Sequence, residues 1–523
     1  MKKILAGTTA ALALVAAGAS AQTLRMGVGA QITSIDPHYH NISPNNAFAS
    51  MVFDNLIETD DKARLVARLA ESWRPVGEGV WEIKLRRGVT FHNGSPFTAD
   101  DVAFTFERIP QVVNSPGSFR TYSQGVQSVE VVDPYILRMN TGGPFPLLPV
   151  NLAQIPILDR ETHQGASTED FNTGRVAIGT GPFRMVSHRP GDRIELERNN
   201  TFWGDMPAWQ SVDYRMLTNN AARTAALLAG DVDIIDQVPT TDIERLRHNA
   251  DIRMSEIDSL RFIYFAMDHM RDGPSPFITD NDGRPLPRNP LKDIRVRRAL
   301  NVAIDRAAIV SRVMEGVATP TTQLMPEGAY GYVPDLQPPR ADQEQARRLL
   351  AEAGYPNGFR LTLHGPNDRY PNDGRIAQAV GQMWTRIGVR TQVELAPFSS
   401  FVTRASRQEF SAFLVSWGSS SGEPSSGLRS VIATYDRQLG TGSVNRGRYS
   451  NPQFDETLAR GMRTLDDGQR EALLQEATRI AINDVAVMPT HLQRNVWAMR
   501  RAFQHTPRVD ERTRAQDVVP ATP

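Results

Sequence analysis

The chain contains no cysteine, so disulfides, thiolate zinc sites, iron–sulfur clusters, a thiol nucleophile and a lipid-bearing cysteine are all excluded. It also lacks any excess of one charge: 58 Lys and Arg stand against 58 Asp and Glu. A nucleic-acid binder would carry a basic surplus to meet phosphates, and none is present. After residue 21 no run of about 18 apolar residues occurs, so no later segment reads as a membrane span. No low-complexity tract, long charge block or short repeat is visible. What is present is 523 residues, 40% of them apolar. That is enough for large cores and, at about 150 residues per unit, for about three structural units.

The first 21 residues read as an export signal. Lys2 and Lys3 are followed by an apolar, alanine-rich run from Ile4 to Ala17, and Ala19, Ser20 and Ala21 give the small-x-small cleavage pattern. Without them, 56 basic residues face 58 acidic ones. The mature chain is expected to be soluble and periplasmic, without a lipid anchor.

Along the mature chain, Trp81, Ile83 and Leu85 alternate with polar residues as one face of a strand. The stretches 183–188 and 193–197, joined through Pro190 and Gly191, read as a hairpin. A strand over 212–217, a helix over 219–229 stopped by Gly230, and a strand over 232–238 form a βαβ unit. A second unit comprises a strand at 360–364, a helix at 372–387 and a strand at 389–395. The helix has apolar positions Ile376, Val380, Met383 and Ile387. Between the units, 294–315 reads as one long basic amphipathic helix. Residues 58–174 read as strand- and turn-rich, with one short helix opened by Thr98 and Asp101 in a capping-box spacing.

Catalytic signatures are sparse. Gly418, Ser420 and Gly422 match G-x-S-x-G, with Asp455 or Asp484 and then His491 in the triad's chain order. Yet a nucleophile elbow turns directly into a helix. Here Glu423 and Pro424 intervene, and a serine-rich loop produces the pattern by composition. Asp36, His38 and His40 cluster as metal ligands might, without a third imidazole or thiolate at hand. Gly27 and Gly29 are a fragment of a dinucleotide fingerprint. Trp417, ending an apolar strand before a polar loop, could floor a pocket, and Arg404 could clamp a carboxylate. The plainer alternatives are a core tryptophan and a solvated arginine.

Many short stretches carry a resemblance. They are Ile35–Pro37, Val52–Leu56, Leu69–Trp73, Trp81–Arg86, Phe91–Gly94, Phe97–Val102, Gly179–Phe183, Asn199–Trp203, Val296–Leu300, Ala303–Arg306, Ala346–Tyr355 and Asn451–Asp455. In this order and spacing the chain resembles the extracytoplasmic solute-binding proteins of dipeptide- and oligopeptide-type ABC importers, over nearly its whole mature length. The resemblance implies an α/β, two-lobed, type II periplasmic-binding-protein fold with an additional domain inserted in the N-terminal lobe. Lobe I would combine 22–57, 176–266 and 489–523, the extra domain 58–175, and lobe II 267–488. The chain would cross between lobes near 261–268 and 488–497. It would act as a monomeric receptor, not an enzyme, delivering a peptide or peptide-like solute to membrane permease subunits, without cofactor or nucleic acid. In peptide-binding relatives an aspartate in the loop after the tryptophan grips the ligand's ammonium group, and that position here is Ser420. Arg404 falls where dipeptide-binding relatives hold a carboxylate. The resemblance therefore suggests a ligand with an anion anchor and no ordinary cation anchor: an N-blocked or modified peptide, or an acidic opine-like conjugate. Glu423 could replace the missing charge. The implied ligand-binding set is Trp417, Arg404, Ser419, Ser420, Glu423, Tyr39 and Tyr264. A serine hydrolase using Ser420, and a receptor for a nickel chelate using His38 and His40, are the alternatives.

Overall fold

Alternation of buried and exposed side chains builds the sheet at its first strand. In Thr23–Val28, Leu24, Met26 and Val28 are buried. The strand pairs in parallel with Ser211–Met216 on one side and Ile234–Ile235 on the other. The computed structural model describes residues 23–521 other than 420, so the leader at 1–21 and Ser420 lie outside the described residues. Helix Asn220–Ala229 starts with the Asn219 side chain accepting from the Ala222 N–H and stops at Gly230, whose φ of 79° is the left-handed cap glycine tolerates. The first predicted unit thus exists, with Thr23–Val28 inserted between its two strands. Its closing strand is Ile234–Ile235, shorter than the expected 232–238 and flanked by two carboxylates that accept from the Thr23–Val28 strand and its end. Asp233 accepts from the Arg25 N–H and guanidinium, and Asp236 accepts from the Gly29 N–H.

The hairpin is Phe183–Arg189 with Arg193–Arg198, antiparallel. The second unit is Phe359–Pro366 and Val389–Ala396, adjacent and parallel, joined by helix Asp373–Arg386. Ile376, Val380 and Ile387 are buried under it. The single long helix expected over 294–315 is broken. Ile294–Val302 ends, Asp305 caps a new turn by accepting from the Ala308 N–H, and Ile309–Val313 is a π-turn. Arg306, buried, makes the break necessary, since its guanidinium donates to the carbonyls of Thr321 and Pro489, at 3.1 and 2.9 Å.

Within 58–175, Ala70–Gly77, Val80–Leu85, Ile136–Asn140 and Ser128–Asp133 form a four-stranded antiparallel sheet. It covers a cluster with Trp81, Ile83, Leu85, Phe91 and Phe97. Helix Ala99–Arg108 opens with the Thr98 N–H donating to Asp101, 2.8 Å. Four further helices, Arg120–Ser123, Leu148–Leu152, Arg160–His163 and Thr168–Asn172, are too short to show a period in sequence.

Two long strands, Ile252–Met267 and Met488–Arg500, pair antiparallel in the middle of the twelve-stranded sheet. One end of the pair leads to the Thr23–Val28 side of the sheet. The other leads through Ala412–Gly418 to Phe359–Pro366. Their ladder breaks between Asp258–Arg494 and Phe262–Leu492, three residues on one strand facing one on the other. Beyond the break the packing changes partner: Ile257 lies against both neighbouring cores, while Ile263 and Phe265 pack with Leu361, Leu363 and Trp384.

Candidate functional site

The parallel strands on both sides of the sheet run out toward one cleft of about 1620 Å³. Gln31 follows Thr23–Val28, Asp236 and Gln237 follow Ile234–Ile235, Arg369 follows Phe359–Pro366, and Trp417 and Gly418 end Ala412–Gly418. Carboxyl ends of strands are where open α/β sheets hold ligands, because loops diverge there and leave a crevice. Arg261, Gln493, Arg494 and Asn495, at the break between the two long strands, form part of the lining. The cleft exceeds the roughly 300–1,000 Å³ of ordinary small-molecule pockets.

Its ionisable lining is dominated by arginine: Arg261, Arg369, Arg429, Arg437 and Arg494, against Asp236, Asp368 and Glu511, with neither lysine nor histidine. Two of the five are spent. Arg261 pairs with Glu511 at 3.0 Å and Arg494 with Asp258 at 3.0 Å. Burial alone would raise Glu511, but the Arg261 guanidinium outweighs it and holds the carboxyl below its ordinary range. Asp236 is pushed up by burial, although the Gly29 N–H and the Thr513 hydroxyl donate to it. Arg369, Arg429 and Arg437 form no ion pair within 4 Å among the described residues, although the Arg369 charge also helps hold Glu511 low. Arg369 lies over Phe398 at 5.5 Å, and Arg429 donates to the Leu439 carbonyl at 3.0 Å. Permanently charged, planar and rich in donors, they are suited to an anion.

Of the residues singled out in the sequence, Trp417 lines this cleft. Its indole Nε1 is buried and has no acceptor among the described residues. Arg404 is not in the lining. It sits on helix Phe398–Ser406, pairs with Glu409 at 2.9 Å and covers the Phe410 ring. Glu423 is buried in an ion pair with Arg470, 2.5 Å, and accepts from the Ser425 hydroxyl, so its charge is already neutralised. Ser419 is buried, its hydroxyl within 3.1 Å of the Glu423 carbonyl. Tyr264 is a core residue beside Phe262, the rings 5.1 Å apart. Tyr39 is likewise absent from the lining, and its carbonyl accepts from Ser115 at 2.5 Å. Ser420 lies outside the described residues.

A family model described as bacterial extracellular solute-binding proteins, family 5 Middle, matches residues 64–437. The chain belongs to this family. Among curated proteins, the glutathione-binding protein GsiB of Pectobacterium atrosepticum is 27% identical over 484 residues, covering 91% of this chain and 89% of that protein. Among solved structures, HbpA2 from Haemophilus parasuis superposes with a TM-score of 0.81 at 25% identity, over 96% of this chain and 100% of that one. DppA from Helicobacter pylori, in complex with the peptide STSA, gives 0.76 at 23% identity, over 95% and 98%, and supports the fold. The dipeptide- and oligopeptide-type resemblance, the α/β binding-protein fold and the reading as a solute-binding receptor are therefore established.

In this family 5 protein the groups proposed for other chemistry are otherwise engaged. His491 is buried with its Nδ1 3.0 Å from the Thr490 hydroxyl, Asp455 accepts from Thr434, and Asp484 accepts from Tyr449. His38 is buried, its Nε2 2.8 Å from the Pro156 carbonyl and its Nδ1 3.2 Å from the Arg108 guanidinium, which also pairs with Asp36. Burial, and then the Arg108 charge, lower His38 to about 3. His40 meets the Thr33 hydroxyl at 2.9 Å. The binding protein's cleft arginines were the residues missed. Arg369 had a usable signal, as it stands just after the first strand of the second βαβ unit.

Proposed function

We propose that this chain is the periplasmic receptor of an ABC-type importer and captures a small, anionic, peptide-like solute of the glutathione kind, which it hands unaltered to the membrane permease. Residues 1–21 supply export, and the receptor acts as a monomer. The observation that carries the ligand class is the set of three cleft guanidiniums, Arg369, Arg429 and Arg437, which form no ion pair among the described residues. A tripeptide of this kind offers two carboxylates to such donors, and charge-assisted, two-pronged bonds are the strongest these groups make. The relative GsiB, named for glutathione binding, supports this reading. Trp417 contributes an apolar floor, and Asp368 is the exposed cleft carboxylate available to a ligand ammonium.

The two lobes of this reading are 22–57 with 176–266 and 489–523, and 267–488, with 58–175 as the extra domain. The separate cluster around Trp81 and the cluster joining Leu24, Met26, Phe183 and Trp497 support that division. The packing of Ile263 and Phe265 with Leu361 supports a crossing near the register break at 258–262, at the start of the expected 261–268. Closure about this break would bring the arginine side down on the ligand, a population shift biased by binding.

Calorimetric titration of the mature chain tests the ligand class. Glutathione should bind at least 100-fold tighter than its diethyl ester, whose carboxylates are masked, and Arg369→Ala or Arg437→Ala should each weaken glutathione about tenfold. Equal affinity for the acid and the diester would overturn the anionic reading.

A further inference from the structure

One wall of the cleft differs chemically from the arginine wall. Tyr122, Phe145, Leu147 and Val150 line it, all from the block 58–175 and all half-buried, with Thr121, Gln124 and Asn151 between them. This apolar patch is held rigidly. The Phe145 ring lies so close to Gly125 that a Cβ there would stand 2.6 Å from two ring carbons. The Tyr122 hydroxyl accepts from the Asn41 amide at 3.0 Å, and its carbonyl from Asn151 at 3.1 Å. Its ring packs edge-on against Phe119 at 5.9 Å. Also lining the cleft, Leu439 is 68% exposed two residues from Arg437. The turn beneath it is fixed by Asp436, which accepts from the N–H groups of Gln438 and Leu439 at 2.7 and 2.9 Å. One loop therefore presents a cation and a hydrocarbon together.

Half-buried apolar side chains on a firm scaffold, together with the exposed Leu439, leave hydrocarbon facing the water of a polar cleft, and a ligand that covers it gains by removing it from water. The geometry points to a ligand of two parts: an anionic peptide-like head on the arginines and a hydrocarbon group seated on Phe145, Leu147 and Val150. This rests on the anionic-receptor reading and deepens it. In a glutathione-type head both carboxylates are needed by the guanidiniums. With both carboxylates on the guanidiniums and the ammonium on Asp368, the position left to carry hydrocarbon is the central cysteine sulfur, as a thioether. The cleft, larger than a small-molecule pocket, has room for the addition. The substrate class is thus S-alkyl conjugates of a γ-glutamyl tripeptide rather than the free thiol.

The experiment compares glutathione with S-hexylglutathione by calorimetry on the full mature chain. Each methylene removed from water favours binding up to about fourfold, so a half-covered hexyl chain should give more than tenfold tighter binding. In Phe145→Ala, and separately in Val150→Asp, the ratio of the two affinities should fall below threefold, with circular dichroism showing that each variant is folded. Equal affinities in the wild type would overturn the two-part ligand while leaving the anionic receptor standing. So would a hexyl advantage that survives in both variants. Failure of both probes to bind would overturn the anionic reading and the inference with it.

Discussion

Glu511 grips Arg261 through two parallel hydrogen bonds, 3.0 and 3.2 Å, at the point where the two long central strands fall out of register. Glu511 stands at a φ of 66°, a left-handed conformation that a glutamate adopts only when its surroundings impose it. Ser259 donates to the same carboxylate at 2.8 Å, and Arg261 also reaches Ser416 at 3.1 Å. One ion pair therefore ties the C-terminal segment to the long strand Ile252–Met267 and to the end of Ala412–Gly418.

Glu511→Gln should consequently leave the Arg261 charge uncompensated. Breaking a fully buried pair costs about 3–5 kcal/mol. Because Glu511 keeps 22% side-chain exposure, about 2 kcal/mol is expected. Urea unfolding measures it. An unchanged midpoint would mean that Ser416 and solvent satisfy Arg261 unaided.

Glu423 and Arg470 form the second decisive pair, each side chain 5% exposed. Glu423→Gln should cost about 3–5 kcal/mol of stability. Affinity for glutathione, measured well below the melting temperature, should change less than threefold. The opposite pattern, intact stability with a tenfold loss of affinity, would restore Glu423 as a ligand anchor.

These pairs also mark where sequence reading worked and where it stopped. Period and turn chemistry identified helix Asp373–Arg386 and the strand with Trp81, Ile83 and Leu85, because burial of one face writes itself into spacing. The break at Asp305 was hidden, since Arg306 looks like any helical arginine until its carbonyl partners, Thr321 and Pro489, arrive from elsewhere in the chain. Trp417 was legible as a strand end, but Arg404 and Glu423 were not. Counting along the chain says nothing about Glu409 or Arg470 as competing partners. Arg369 and Arg437 required the sheet order, which decides which loops share a cleft.

Acid sensitivity follows from histidines that fold neutral. Burial lowers His491 from its ordinary 6.5 to about 3, and burial, followed by the Arg297 charge, does the same to His269. The unfolded chain takes up these protons near pH 6.5, the folded one near pH 3. Stability is therefore fully present above about pH 7 and drains as pH falls through that window, at about 1.4 kcal/mol per pH unit for each histidine near its middle. Unfolding free energy measured at pH 6, 5 and 4 should fall less steeply in His491→Asn by about that amount per unit. An unaltered slope would show that His491 titrates equally in both states.

Closure of the cleft has a visible contact. The Asn372 side-chain amide donates one hydrogen to Thr240 Oγ1 at 3.2 Å and another to the Val313 carbonyl at 3.0 Å, and both Asn372 and Thr240 line the cleft. Thr240 opens helix Thr240–Arg247 beside the Ile234–Ile235 strand, while Asn372 opens helix Asp373–Arg386 of the second βαβ unit. The bond therefore links the two sides of the cleft. Asn372 has a φ of 57°, so glycine keeps the backbone at no steric cost and removes only the amide. One such hydrogen bond is worth about 1 kcal/mol, so Asn372→Gly should shift the unliganded equilibrium about fivefold toward the open form. Small-angle scattering should then show a larger radius of gyration without glutathione and an unchanged one with it, while affinity falls by no more than about fivefold. An unliganded radius equal to that of the parent chain would show that this contact does not hold the two sides together.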